Sequence, residues 1–208
     1  MTNPRPLHLA VVIGTRPEAV KLAPLVLAAQ AQPEHFKVDV VSTGQHREMV
    51  ASMLAWFGLR PSVSLDIMKP NQNLAHITMA SLGGISDWLD HNRPDWVIVQ
   101  GDTTTTFAGA LAAFYHRIPV AHVEAGLRTH NKLSPYPEEL NRVMTGHIAT
   151  LHFPPTSGAR DNLLREGLSA DSIEVTGNTG IDALLWTHNK LEQTSHTDQA
   201  HGPEILLT

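Results

Sequence analysis

Three acids stand where a carboxylate does little for folding. Asp102 follows the apolar run "DWVIVQG", Glu124 ends "IPVAHV", and Glu138 opens the helix-forming stretch "PEELNRVMTGHIAT". Carboxylates gathered in a partly dry cleft acquire separated pKa values and can deliver and remove protons. Each has a plainer explanation beside this one. Asp102 suits the N-cap of the helix that follows it. Glu124 has no helix start next to it, and a buried ion pair with Arg128 or Arg142 would account for it. Glu138 and Arg142 are four residues apart, the spacing of an ordinary exposed helical ion pair.

Cations and polar groups occupy equivalent places. In "GTRPEAVK", Gly14 permits a tight turn, and helix-start N–H groups with Arg16 and Lys21 suit a phosphate. A strand-to-helix turn bearing an exposed arginine explains the same residues. The stretch is neither a G-x-G-x-x-G fingerprint nor a P-loop. Gln45, His46 and Arg47 in "TGQHREM", and Gln72 in "KPNQNL", line the same cleft or cap helix entries. Four successive threonines, Thr103 to Thr106, are weak helix formers at a helix start, and hydroxyls facing a cleft would bind a sugar or phosphate. The chain has 13 histidines but no HExxH spacing; His122 alternates onto the side of Glu124, and neither a metal site nor another cofactor is expected.

What must position these residues is an alternation of strands and helices. Apolar runs at "LHLAVVI", "FKVDVVSTG", "VSLDIM", "DWVIVQ", "IPVAHV", "LHFPP" and "IEVTG" read as strands. Between them lie "PEAVKLAPLVLAAQAQ" with a bend expected at Pro24, "REMVASMLAWFG", a helix over 73–91, "TTTTFAGALAAFYHR", "PEELNRVMTGHIAT" and "SGARDNLLREG", with "TGIDALLWTHNKLE" last. Near-continuous apolar strands separated by helices specify a doubly wound parallel sheet, α/β and Rossmann-like, with ligands beyond the carboxyl ends of the strands. Residues 1–192 form this domain, 193–203 read as a linker, and "EILLT" over 204–208 reads as the first strand of a second, missing domain.

Composition narrows the classes further. With 208 residues, 42% hydrophobic and 17% charged, the chain is an ordinary globular one. A net charge of −5 with dispersed basic residues speaks against nucleic acid or an anionic membrane as partner. Cys 0 excludes disulfides and fits a reducing compartment. The apolar run from Leu9 to Ile13 is too short for a signal-peptide core or a membrane span, so the cytoplasm is expected.

Taken together, "GTRPEAVKLAPL", "GQHREM", "GDTTTT", "HVEAGLRT", "SPYPEELNR" and "TGNTGIDALL" resemble, in order and spacing, the N-terminal half of the non-hydrolysing UDP-N-acetylglucosamine 2-epimerases. The resemblance implies a two-domain, glycosyltransferase-B-like isomerase of cell-surface polysaccharide biosynthesis. Such an enzyme interconverts UDP-N-acetylglucosamine and UDP-N-acetylmannosamine by losing and re-adding UDP through a 2-acetamidoglucal. It puts Asp102, Glu124 and Glu138 on catalytic acids, Arg16, Lys21 and Arg142 on substrate-binding or active-site positions, and Gln45, His46 and Gln72 on a second, activating substrate site found in some bacterial members. It also implies a homodimer in the full-length form, and a second half that supplies a catalytic histidine and most nucleotide contacts. This chain alone is therefore expected to have little activity. Two other readings stay open: a hydrolysing epimerase that releases UDP and N-acetylmannosamine, and a non-catalytic sugar-nucleotide-binding module.

Overall fold

The computed structural model describes residues 5–44, 47–67 and 72–195. Six parallel strands run β1 (Leu7–Ile13), β2 (Phe36–Ser42), β3 (Val63–Ser64), β4 (Trp96–Gln100), β5 (Val120–Val123) and β6 (Leu151–Phe153). Their spatial order is β3-β2-β1-β4-β5-β6, the doubly wound order that reverses direction between β1 and β4. Helices α1 (Arg16–Gln30), α2 (Arg47–Trp56), α3 (Leu74–Asn92), α4 (Thr104–Tyr115), α5 (Glu138–Ile148), α6 (Ser157–Arg165) and α7 (Thr179–Ser195) connect and cover them.

Alternation along β1 divides the core. Leu9, Val11 and Ile13 pack with Leu22 and Val26 of α1 and with Val50 and Leu54 of α2. Ala10 and Val12 face the other way, onto Ile85 and Leu89 of α3 and the alanines Ala110, Ala112 and Ala113 of α4. Both faces of the sheet are thus dry, which is why the strands read as continuous apolar runs. α7 returns to the α1–α2 side, where the rings of Phe57 and Trp186 lie 4.8 Å apart. No helix among the described residues is long and apolar enough to cross a membrane.

α1 runs as one helix through Pro24. Other expectations change. β3 is two residues long, shorter than "VSLDIM". "IEVTG" is not a strand: a 3-10 turn at Ala170–Ser172 precedes a single bridge from Ile173 to His152, and Val175 is exposed. With β6 only three residues long, there is little edge for a further strand to pair with. α7 runs to Ser195 and so takes in the first three residues of the expected linker, Gln193 to Ser195. "EILLT" lies outside the described residues.

Candidate active site

Parallel strands in register end together, and that brings the acids together. Gln100 of β4 is paired with Val123 of β5, so Asp102 and Glu124 both emerge just past the last rung. The turn bearing Asp102 is pinned from three sides. Gly101 takes a left-handed φ of 73° and its N–H donates to the Val123 carbonyl at 3.0 Å. His122 Nε2 donates to the Gly101 carbonyl at 2.7 Å. Asn141 of α5 donates its amide to the Asp102 carbonyl at 3.0 Å. The N-cap of α4 is Thr103, whose hydroxyl accepts from the Thr106 N–H at 3.0 Å, so Asp102 is not spent on capping.

The Asp102 carboxylate, 31% exposed, meets the Arg142 guanidinium at 2.8 Å. Burial pushes its pKa above the ordinary aspartate value. Arg142 pulls it back down, and the negative charges of Glu124 and Glu138 push it up again. Both other sequence-predicted acids thus lie close enough to Asp102 for their charges to act on it. Glu124 is 12% exposed, and Lys21 Nζ of α1 reaches both of its oxygens at 2.6 Å. The Gln100 side-chain amide donates to Glu124 Oε2. Glu124 itself has φ 61°, so the strand's alternation stops there and it does not share a side with His122 as expected. His122 lies in the core, where burial lowers its pKa to about 4.

The ion pairs differ from those the sequence offered. Arg128 is taken by Glu166, with contacts of 2.7 and 2.8 Å, and holds the Glu166 carboxyl below its usual range. Neither Arg128 nor Arg142 is an ion-pair partner of Glu124 among the described residues. Arg142 contacts Glu139 at 3.5 Å, while toward Glu138 its Nε donates only to the backbone carbonyl, at 3.4 Å. Glu138 is the partly buried first residue of α5. Arg16 is exposed at the first position of α1 and forms no ion pair among the described residues. Gln72 is partly buried, immediately before Asn73, the N-cap of α3. Gln45 and His46 lie outside the described residues. Arg47 is exposed and pairs with Asp66 at 3.3 Å.

Sequence reasoning missed two carboxylates. Glu139, 2% exposed, accepts from the Thr129 and His130 N–H groups, both at 2.9 Å, and so ties the loop after β5 to α5. Glu18 is equally buried and accepts from Gly14 N–H at 2.8 Å, Thr15 N–H at 2.6 Å and the Thr103 hydroxyl at 2.6 Å. The threonine reading is corrected accordingly: Thr103 and Thr106 turn their hydroxyls to Glu18 rather than outward to a ligand. Gly14 is also needed for a different reason from the expected one. Its φ is not left-handed, but a Cβ there would lie 2.4 Å from Thr105 Oγ1, so the loop after β1 touches α4.

Residues 27–208 match the family model described as UDP-N-acetylglucosamine 2-epimerase. The chain belongs to that family. A UDP-N-acetylglucosamine 2-epimerase of Bacillus subtilis is 57% identical over 203 residues, which is 97% of this chain and 53% of the relative. The crystal structure of the epimerase from Neisseria meningitidis, bound to UDP-GlcNAc, superposes with a TM-score of 0.87 at 47% identity, over 92% of this chain and 52% of that one. The epimerase of Methanocaldococcus jannaschii, in complex with UDP-GlcNAc and UDP, gives a TM-score of 0.84 at 38% identity, over 90% of this chain and 51% of that one. The chain thus spans about half the length of the epimerases it matches. Its sheet and flanking helices are those expected of the Rossmann-like half of a glycosyltransferase-B-like fold.

Proposed function

We propose that this chain is the acid-bearing half of a UDP-N-acetylglucosamine 2-epimerase, and that Asp102, Glu124 and Glu138 transfer the protons. The C2 proton of the sugar is not acidic enough to leave alone. Its removal is coupled to departure of UDP: the C2–H electron pair becomes the C1=C2 bond of a 2-acetamidoglucal, and the C1–O pair leaves with UDP. Re-addition of UDP at C1, with a proton delivered to the opposite face of C2, completes the inversion. Groups able to serve both faces are required, and a cluster of carboxylates approaching from different elements supplies them.

The observation that most supports this reading is that Asp102 and Glu124 emerge side by side at the ends of β4 and β5, with Asp102 raised above its usual range by burial and by the charges of Glu124 and Glu138. Lys21 and Arg142 pair with Glu124 and Asp102 and orient them, and exposed Arg16 at the start of α1 suits the diphosphate. The nucleotide would be held by a second half of the kind the relatives possess, in a homodimeric full-length form.

The test is incorporation of solvent deuterium at C2. Fused to the second half of the Bacillus subtilis relative and given UDP-N-acetylglucosamine in heavy water, the chain should yield UDP-N-acetylmannosamine labelled at C2. Free N-acetylmannosamine with UDP would indicate hydrolysis instead, and an unlabelled sugar would reject the proposal. The chain alone should give little exchange.

A further inference from the structure

Glu18 takes no part in the proton transfers proposed above, yet its buried carboxylate is almost fully occupied. Oε2 accepts from Gly14 N–H at 2.8 Å, Thr15 N–H at 2.6 Å and the Thr15 hydroxyl at 2.9 Å. Oε1 accepts from the Thr103 hydroxyl at 2.6 Å and lies 2.9 Å from the Thr106 hydroxyl. The Thr106 hydroxyl is also 2.7 Å from the Gln100 carbonyl and has one proton for the two acceptors. The Thr106 hydroxyl thus shares its proton between Glu18 and Gln100 and links them, while the other four donors meet the roughly four lone-pair positions of the carboxylate.

These partners belong to the loops that present the acid cluster. Gly14 and Thr15 lead into α1, which bears Lys21, and Thr103 and Thr106 follow Asp102 directly. Gln100, whose carbonyl is held by Thr106, gives its side-chain amide to Glu124. One side chain therefore joins the elements carrying Lys21, Asp102 and Glu124, across 85 residues of sequence.

We propose that Glu18 is a positioning residue that sets the spacing between the Lys21–Glu124 pair and Asp102. The proposal rests on the function given above and adds a residue to it. Glu18 acts through its hydrogen bonds rather than its charge. A glutamine can reproduce them, its carbonyl accepting from the two N–H groups and its amide donating to threonine hydroxyls, which can turn to accept.

The kinetic test uses the chain fused to the second half of the Bacillus subtilis relative. Glu18→Ala should lower kcat about 100-fold in the folded fraction with KM changed less than about threefold, because the reacting groups shift while the second half, which holds the nucleotide, is untouched. Glu18→Gln should keep kcat within about threefold of the parent. Unchanged kcat in folded Glu18→Ala, or equal loss in both variants, overturns the proposal. Should Glu18→Ala fail to fold, Thr106→Val removes the link from Glu18 to Gln100 and leaves the Thr103 contact in place, with about a tenfold fall in kcat expected and no fall overturning it. A second readout does not depend on turnover. In the isotope-labelled 208-residue chain, the 13C carboxyl signals of Asp102 and Glu124 should move in Glu18→Ala and stay in Glu18→Gln. Signals that stay in both variants overturn the positioning role. Signals that move as expected uphold it even where the parent shows no C2 exchange, which would count against the function instead.

Discussion

Two sets of carboxylates lie within a few residues of one another and are treated differently by the fold. Glu18 and Glu139 are buried and surrounded by backbone N–H groups and hydroxyls, and they tie loops together. Asp102 and Glu124 keep some exposure and meet the side-chain cations Arg142 and Lys21. The charges of Glu124 and Glu138 also act on Asp102. Burial alone does not mark an acid for chemistry, since the most buried carboxylates here are the structural ones. What distinguishes the second set is partial exposure at the strand ends and close pairing with Lys21 and Arg142, where Glu18 and Glu139 are held chiefly by N–H groups and hydroxyls.

The contrast can be broken at several points. The largest effect belongs to Glu124→Gln in the chain fused to the relative's second half. Exchange at C2 should fall by about 10²–10⁴-fold, the usual worth of a general acid or base, with the far-ultraviolet circular dichroism unchanged. Full activity would show that Glu124 is not a proton carrier. Glu139→Ala should do the reverse and strike stability. It strands two N–H groups, at about 1–3 kcal/mol each in urea unfolding, while Arg142 keeps its pair with Asp102; a loss below about 1 kcal/mol would place Glu139 outside the structural set.

The pH dependence sharpens the same division. His122 has a folded pKa of about 4, below its ordinary 6.5, because burial disfavours the imidazolium. Its contribution to stability is therefore present above pH 6.5 and lost as the pH falls toward about 4, at ~1.4 kcal/mol per pH unit. His122→Gln should flatten that acid limb, and an unaltered limb would contradict the assignment. Asp102 has the opposite sign. Its folded pKa is raised, so ionising it costs stability as the pH rises through that value. In the same unfolding series Asp102→Asn should gain on the parent with rising pH. The smallest effect is expected from Arg16→Ala, within about 0.5 kcal/mol of the parent, since an exposed side chain without an ion pair holds nothing in place.

Much of this is legible in the sequence, for physical reasons. Strands buried on both faces are long apolar runs, and their ends name the cleft, so Asp102 and Glu124 stand out from sequence alone. The phase of α5 is harder to read. Glu138 at i+4 and Glu139 at i+3 are equally good partners for Arg142 on a helix, and only the packing of α5 against the loop after β5 turns Glu139 inward. Glu18 is hidden by its local ordinariness. A glutamate three residues after Thr15 reads as half of a capping box, and its reach to Thr103 is a contact that no local pattern encodes. The threonine run misleads for the same reason, its acceptor lying far away in the chain. "IEVTG" runs along β6, with the Glu174 and Thr176 N–H groups donating to the His152 and Pro154 carbonyls, but β6 is three residues long and the pairing stops at a single bridge.

Glu124 holds a backbone shape that glycine or asparagine adopts far more readily than glutamate. The residue best suited to its geometry is therefore not the residue found there. In a lineage relieved of any need for this side chain, drift should replace it, and the replacement would relax the main chain by ~1 kcal/mol. Retention of glutamate among descendants thus reports continuing use, and its conversion to glycine would record retirement from service.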